Sequence, residues 1–194
     1  MGTDDRPGAR RALGPLLWWA APSVLLLAAL TLWGVLRYPD LPDRVPRHIG
    51  PGGVDAWTDR SVGAAFLPVF VYAGLTVLMI GCALAVARTT PLDELPPPAD
   101  RWAAAARAST SNRPADAASV RRTARALLLT NALLGLAFLP MAWVQWRAEE
   151  TAHVPWGLTV ALVAALLVSL APVLVAAWRD AQHKRAARAR APAA

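Results

Sequence analysis

Lysine is almost missing from this chain: Lys184 is the one lysine among 20 basic residues, and Cys82 is the one cysteine. A single cysteine rules out an intramolecular disulfide and any multi-cysteine metal site, so redox compartment cannot be read from it. There is no HExxH-type pair and no cysteine–histidine ligand spacing to support metal catalysis. Charge is the most informative scarcity. Residues 13–36, 61–87, 126–146 and 151–178 contain no Asp, Glu, Lys or Arg. A charge at mid-bilayer costs roughly 3 kcal/mol or more, so gaps of this length mark segments suited to lipid and exclude an ordinary water-soluble globule.

What is present is a short chain of long apolar blocks. Its 194 residues are 56% hydrophobic and 17% charged, with a mean hydropathy of +0.36. Crossing the hydrocarbon core takes about 20 apolar helical residues at roughly 1.5 Å each. The blocks therefore predict an all-α membrane protein, a four-transmembrane-helix bundle made of two helical hairpins. The spans are expected at 13–36, 61–87, 124–146 and 154–178, with an outer loop at 37–60, a cytoplasmic linker at 88–122 and a basic tail at 179–194. Arg6, Arg10 and Arg11 precede the first block as in a signal peptide. The block is longer than the roughly 7–15 apolar residues of such a signal, and it runs on into Trp33 and Leu36, which predicts an uncleaved span. Cys82 lies inside the second block and reads as a small buried apolar residue.

Basic residues alternate between segments. Arginines crowd ahead of the first span, between the second and third (Arg88, Arg121, Arg122 and Arg125 among them) and after the fourth, while the other two loops offset five arginines with Asp40, Asp43, Asp55, Asp59, Glu149 and Glu150. Cytoplasmic segments retain basic residues during insertion, so both termini are expected inside, N-in and C-in, in a bacterial plasma membrane. The net charge of +7 and pI near 11.1 are then explained without nucleic acid: basic cytoplasmic segments fix orientation and attract anionic lipid headgroups. The Ala-, Arg- and Pro-rich composition points to GC-rich bacterial coding DNA.

Thr89 to Val120 reads as a mobile linker, with a short interfacial helix near Trp102 as an alternative. Pro22, Pro68, Pro140 and Pro172 each predict a kink and a loosened carbonyl in a span. Asn131, the most polar side chain deep in a span, is expected to turn inward and hydrogen-bond a neighbouring helix. Gly81 and Ala85 form a small-xxx-small step of the kind that permits close helix approach.

The segment richest in information is the outer loop, Tyr38 to Ser61. Pro42 and Pro46 fix backbone angles, and Gly50, Gly52 and Gly53 supply positive φ, so a defined series of turns is expected. Asp43, Arg44, His48 and Asp55, with Trp57 at headgroup level, form a candidate ligand-binding cap on the outer mouth of the bundle. The run Leu41-Pro42-Asp43-Arg44-Val45-Pro46, then His48, a glycine turn, Asp55, Trp57 and Ser61, resembles the signature of a bacterial domain of unknown function (DUF1648) that forms the N-terminal part of SdpI-related membrane proteins. Ile49 replaces the family's usual aromatic and Arg60 its usual lysine. The resemblance covers the first two spans and their loop, and it implies a membrane protein of the toxin-immunity and signalling kind.

Three functions follow as expectations. The first is recognition or immunity at the outer face, without catalysis or cofactor, with an extracytoplasmic peptide as ligand and a cytoplasmic regulator as a further partner. The second is a transporter accessory subunit; paired intramembrane charges and inverted repeats are lacking for a carrier acting alone. The third, and least supported, is a metal-dependent hydrolase using His48 and Asp55 with Asp43 or His153. No catalytic residue and no metal ligand set is assigned.

Overall fold

The computed structural model describes residues 14–50, 53–96, 99–103, 113–147 and 153–190. Pro51 and Gly52 of the loop, the N-terminal arginines, residues 109–112 of the linker and the Glu149–Glu150 pair lie outside them. Four helices are long and apolar enough to cross a membrane, at Gly14–Asp40, Leu67–Ala87, Ala117–Gln145 and Trp156–Ala186. The protein is thus a helical membrane bundle, with one small sheet inserted after the first span. We label the regular helices α1 (Ala21–Arg37), α2 (Leu67–Ala87), α3 (Ala117–Gln145) and α4 (Trp156–Arg190), and the strands β1 (Arg44–Gly50) and β2 (Gly53–Asp59).

Proline placement differs from the expectation of four kinked spans. Pro22 and Pro68 stand in the first turns of the regular helices α1 and α2 rather than in their interiors. A 3-10 turn, Trp18–Ala20, precedes the first, and a single helical turn, Val62–Ala65, precedes the second. Pro140 and Pro172 do lie within α3 and α4.

Helix α3 is the hub of the bundle. It packs along α4, α2 and α1, whereas α4 leans mainly on α3. Two close approaches make this possible. A Cβ on Gly135 of α3 would lie 2.3 Å from the Tyr72 hydroxyl and 2.5 Å from Leu26 Cδ2, and one on Gly34 of α1 would lie 2.7 Å from the Trp146 ring. Gly81 has nothing within 4 Å of such an atom, so the expected small-residue step at Gly81 and Ala85 is not the packing seam. Cys82 likewise is exposed on the bundle surface, not buried, because the face of this stretch of α2 that clusters with Ala124 and Leu128 of α3 is the one bearing Ala83.

Asn131 behaves as anticipated. Only 1% exposed, it donates from Nδ2 to Thr76 Oγ1 at 3.0 Å, and its backbone carbonyl accepts the Tyr72 hydroxyl at 3.3 Å. In lipid an amide without such partners would cost several kcal/mol.

At the end carrying both termini, the linker is tied down where it meets the helices. The Leu92 and Asp93 N–H groups donate to the Pro114 and Ala115 carbonyls, and the Ala115 N–H donates to Asp180 Oδ1 at 2.8 Å. Asp180 also pairs with Lys184 at 2.7 Å. Asp116 N-caps α3 by accepting the Ser119 N–H at 2.6 Å, and lies 3.4 Å from His183 Nδ1. That N–H, more than His183, holds the Asp116 carboxyl below the usual carboxylate range. The stretch 179–190 continues α4 as helix, docked on this junction. Within the linker, Asp100 caps the Ala103 N–H at 2.7 Å and Arg101 lies over the Trp102 ring; the rest of the alternative interfacial helix there lies outside the described residues.

Candidate functional site: a β-hairpin seated on three helices

The loop between the first two spans is an antiparallel β-hairpin, a more regular structure than a series of turns. Its geometry follows from a few residues. Gly50 pairs with Gly53 across the tip, and Gly53 alone among the described residues adopts positive φ, at 117°. Gly50 leaves room for the Asp55 carboxylate: a Cβ there would lie 2.7 Å from Asp55 Oδ2, which would have to shift. Pro46 lacks a ladder N–H, and the register slips beside it, where Arg47 is the extra residue; a second slip leaves Asp55 unpaired on β2. Those offsets bring Asp55 to His48, Nδ1 to Oδ1 at 2.6 Å. Both side chains are exposed, 67% and 57%.

The base of the hairpin is anchored in the bundle. Leu41 and Val45 are buried in a cluster with Leu30 of α1, Phe66 just before α2, Val69 within it, Phe138 and Ala142 of α3, and Trp146 at the end of α3. Trp146 is the keystone. Its Nε1 donates to the Ala65 carbonyl at 2.7 Å, its ring meets Trp33 edge-on at 5.3 Å, and Phe66 lies 6.0 Å away. Gln145 Nε2 donates to the Ala64 carbonyl at 2.9 Å. Pro68 has no N–H to offer Ala64 across the i to i+4 step, so α3 supplies the donor that the second span lacks.

The predicted site residues separate into two groups. His48 and Asp55 meet near the tip. Asp43 and Arg44 stand at the base instead, Arg44 opposite Asp59 in the ladder and Asp43 3.8 Å from Arg60. Arg60 has a larger part than its position suggested: its guanidinium donates to the Leu41 carbonyl and lies 5.9 Å from the Tyr38 ring centroid, while its backbone N–H donates to the Asp43 carbonyl at 2.7 Å. Trp57 is half-buried opposite Pro46, and Pro42 is half-buried before β1. His153, from the other loop at this end, has its carbonyl bound by Arg147 Nη1 at 2.6 Å. Among the described residues no three His, Cys, Asp or Glu gather as a metal-ligand set.

The hairpin is polarised by strand. β1 carries Arg44, Arg47 and His48; β2 carries Asp55 and Asp59. The two outer edges present opposite charge, and the ladder joins two strands only, leaving each with an unpaired edge.

Residues 25–71 match the family model described as a domain of unknown function (DUF1648). The DUF1648 match begins in α1, takes in the entire hairpin and ends in the first turns of α2, so its centre is the β-hairpin and the helix ends that seat it. No curated protein and no solved structure matches the chain. Trp146 and Gln145, which lock the matched segment in place, lie outside it. Their role had no periodic or motif signal; the one hint was the proton-less nitrogen of Pro68.

Proposed function

We propose that this integral membrane protein is a recognition component of the SdpI-related kind, acting without catalysis in immunity or signalling. The hairpin faces the extracytoplasmic side and binds a membrane-active peptide. The observation that carries this reading is the exposed His48–Asp55 pair on a hairpin whose base is packed into three spans. A rigid base fixes the position of the pair, and exposure leaves it free for a partner. The opposite charge of the two strands gives an extended peptide two chemically distinct edges to choose between. The basic asymmetry of the sequence supports the orientation.

The test uses His48→Ala and Asp55→Ala. An exposed ion pair contributes about 0–1 kcal/mol, so both variants should insert and melt in detergent close to wild type. In a deletion strain challenged with peptides secreted by its own species, wild type should restore the response and neither variant should. A normal response in both variants, or loss of folding in step with loss of response, would reject a binding role for the pair.

A further inference from the structure

We propose that the terminal-end face of α3 beside the first span is a binding site for an anionic phospholipid, in the leaflet at that end. Arg121, Arg122 and Arg125 lie within the first turns of α3, with no acidic residue in that helix's first turn. The steps 122 to 125, 125 to 129 and 129 to 136 are three, four and seven residues, so Arg122, Arg125, Leu129 and Leu136 fall on one helical stripe. Leu129 and Leu136 are exposed along it, 37% and 44%.

At about 1.5 Å per residue, Leu129 lies about 6 Å and Leu136 about 17 Å beyond Arg125. One leaflet contributes roughly 15 Å of hydrocarbon. A phosphate at the arginines would therefore lay an acyl chain along the two leucines. Trp19 from the first span closes one side, its ring 5.6 Å from the Arg125 guanidinium and its surface 41% exposed, as suits an indole at the headgroup boundary.

The guanidinium chemistry calls for an anion. Among the described residues none of the three arginines has a carboxylate partner; Arg121 and Arg125 are exposed, and the half-buried Arg122 has one guanidinium nitrogen, Nη1, without a hydrogen-bond acceptor. Three like charges spaced one, three and four residues apart on one helix repel one another, and an anion among them relieves that repulsion. Phosphate fits the forked donors of arginine, and an apolar stripe directly below selects a lipid over a free ion. The proposal does not depend on which side of the membrane this end faces, nor on the role of the hairpin.

The full-length protein, purified in a neutral detergent, is titrated with palmitoyl-oleoyl phosphatidylglycerol, with phosphatidylcholine of the same chains, or with inorganic phosphate. Bound lipid is read by native mass spectrometry. Phosphatidylglycerol should be retained in preference to phosphatidylcholine by on the order of 100-fold, since each surface arginine contributes roughly fivefold toward an anionic lipid. Arg122→Gln should lower that preference roughly fivefold, and the triple Arg121→Gln/Arg122→Gln/Arg125→Gln should abolish it. The triple Lys replacement, which keeps the charge and protects insertion, should retain most of it. Equal retention of both lipids, or an unchanged preference in Arg122→Gln, would overturn the proposal. So would displacement of the lipid by inorganic phosphate, which would leave a plain anion site.

Discussion

Gly135→Ala tests the packing that holds the bundle together. In a helix this change is ordinarily stabilising, by roughly 0.5–1 kcal/mol, because glycine loses more backbone freedom on folding. Here the new methyl would lie 2.3 Å from the Tyr72 hydroxyl and 2.5 Å from Tyr72 Cζ, where an ordinary contact needs at least 3.4 Å. The phenol must withdraw by about 1 Å, and its surroundings resist. Tyr72 has no exposed surface, and its ring is 5.1 Å from that of Phe138. Overpacking of this kind costs about 1–3 kcal/mol. Losing the Tyr72 hydroxyl bond to the Asn131 carbonyl adds about 1 kcal/mol. The propensity gain offsets about 1 kcal/mol of that, leaving a net loss of about 1–3 kcal/mol. Gly74→Ala and Gly81→Ala, with nothing within 4 Å of the added atom, keep the propensity gain and should melt at or above wild type. Thermal unfolding in detergent, followed by tryptophan fluorescence, compares the three. If Gly135→Ala melts with the other two, the close approach of α2, α1 and α3 at Tyr72 is wrong.

Two further outcomes follow from named contacts. Trp146→Phe keeps most of the ring but removes the donor to the Ala65 carbonyl; it should cost about 1–3 kcal/mol and speed amide exchange in the hairpin more than at mid-span. Unchanged hairpin exchange would show that Trp146 does not seat it. Asp116→Ala should cost about 1 kcal/mol through loss of the α3 cap. Because the folded carboxyl is held below its ordinary value, the contribution is present above about pH 4 and fades as pH falls through the lower folded value. The melting difference from wild type should therefore be steady between pH 7 and 5 and shrink in stronger acid, and a difference growing with acidity would contradict the assignment.

Much of the fold was legible because lipid imposes a simple rule. Charge-free runs of 20 or more residues have few fates, so four spans could be read directly, as could an inward-facing Asn131. The hairpin was half legible. Its glycines announced a tip, and His48 and Asp55 flank that tip closely enough to be expected together. Arg44 and Asp43 were grouped with them by sequence proximity, whereas strand geometry places them at the far end of the ladder. Packing partners were not legible. Gly34 and Gly135 are ordinary helix glycines until Trp146 and Tyr72 are seen against them, and Gly81, which fits a packing motif, touches nothing. Asp180, His183 and Lys184 share one helical face, but the contacts that dock them, Ala115 to Asp180 and Asp116 to His183, join residues 65 and 67 positions apart, and no periodicity links those.

The recognition account requires the hairpin outside the cell and the α4 extension inside. In a Cys82→Ser background, Arg47→Cys and Ala186→Cys place single thiols at exposed positions on the hairpin and on α4. A charged, membrane-impermeant maleimide applied to intact cells should label Arg47→Cys and leave Ala186→Cys unlabelled, with the pattern reversed in inverted vesicles. Labelling of Ala186→Cys in intact cells, with Arg47→Cys protected, would place the hairpin in the cytoplasm and contradict the account.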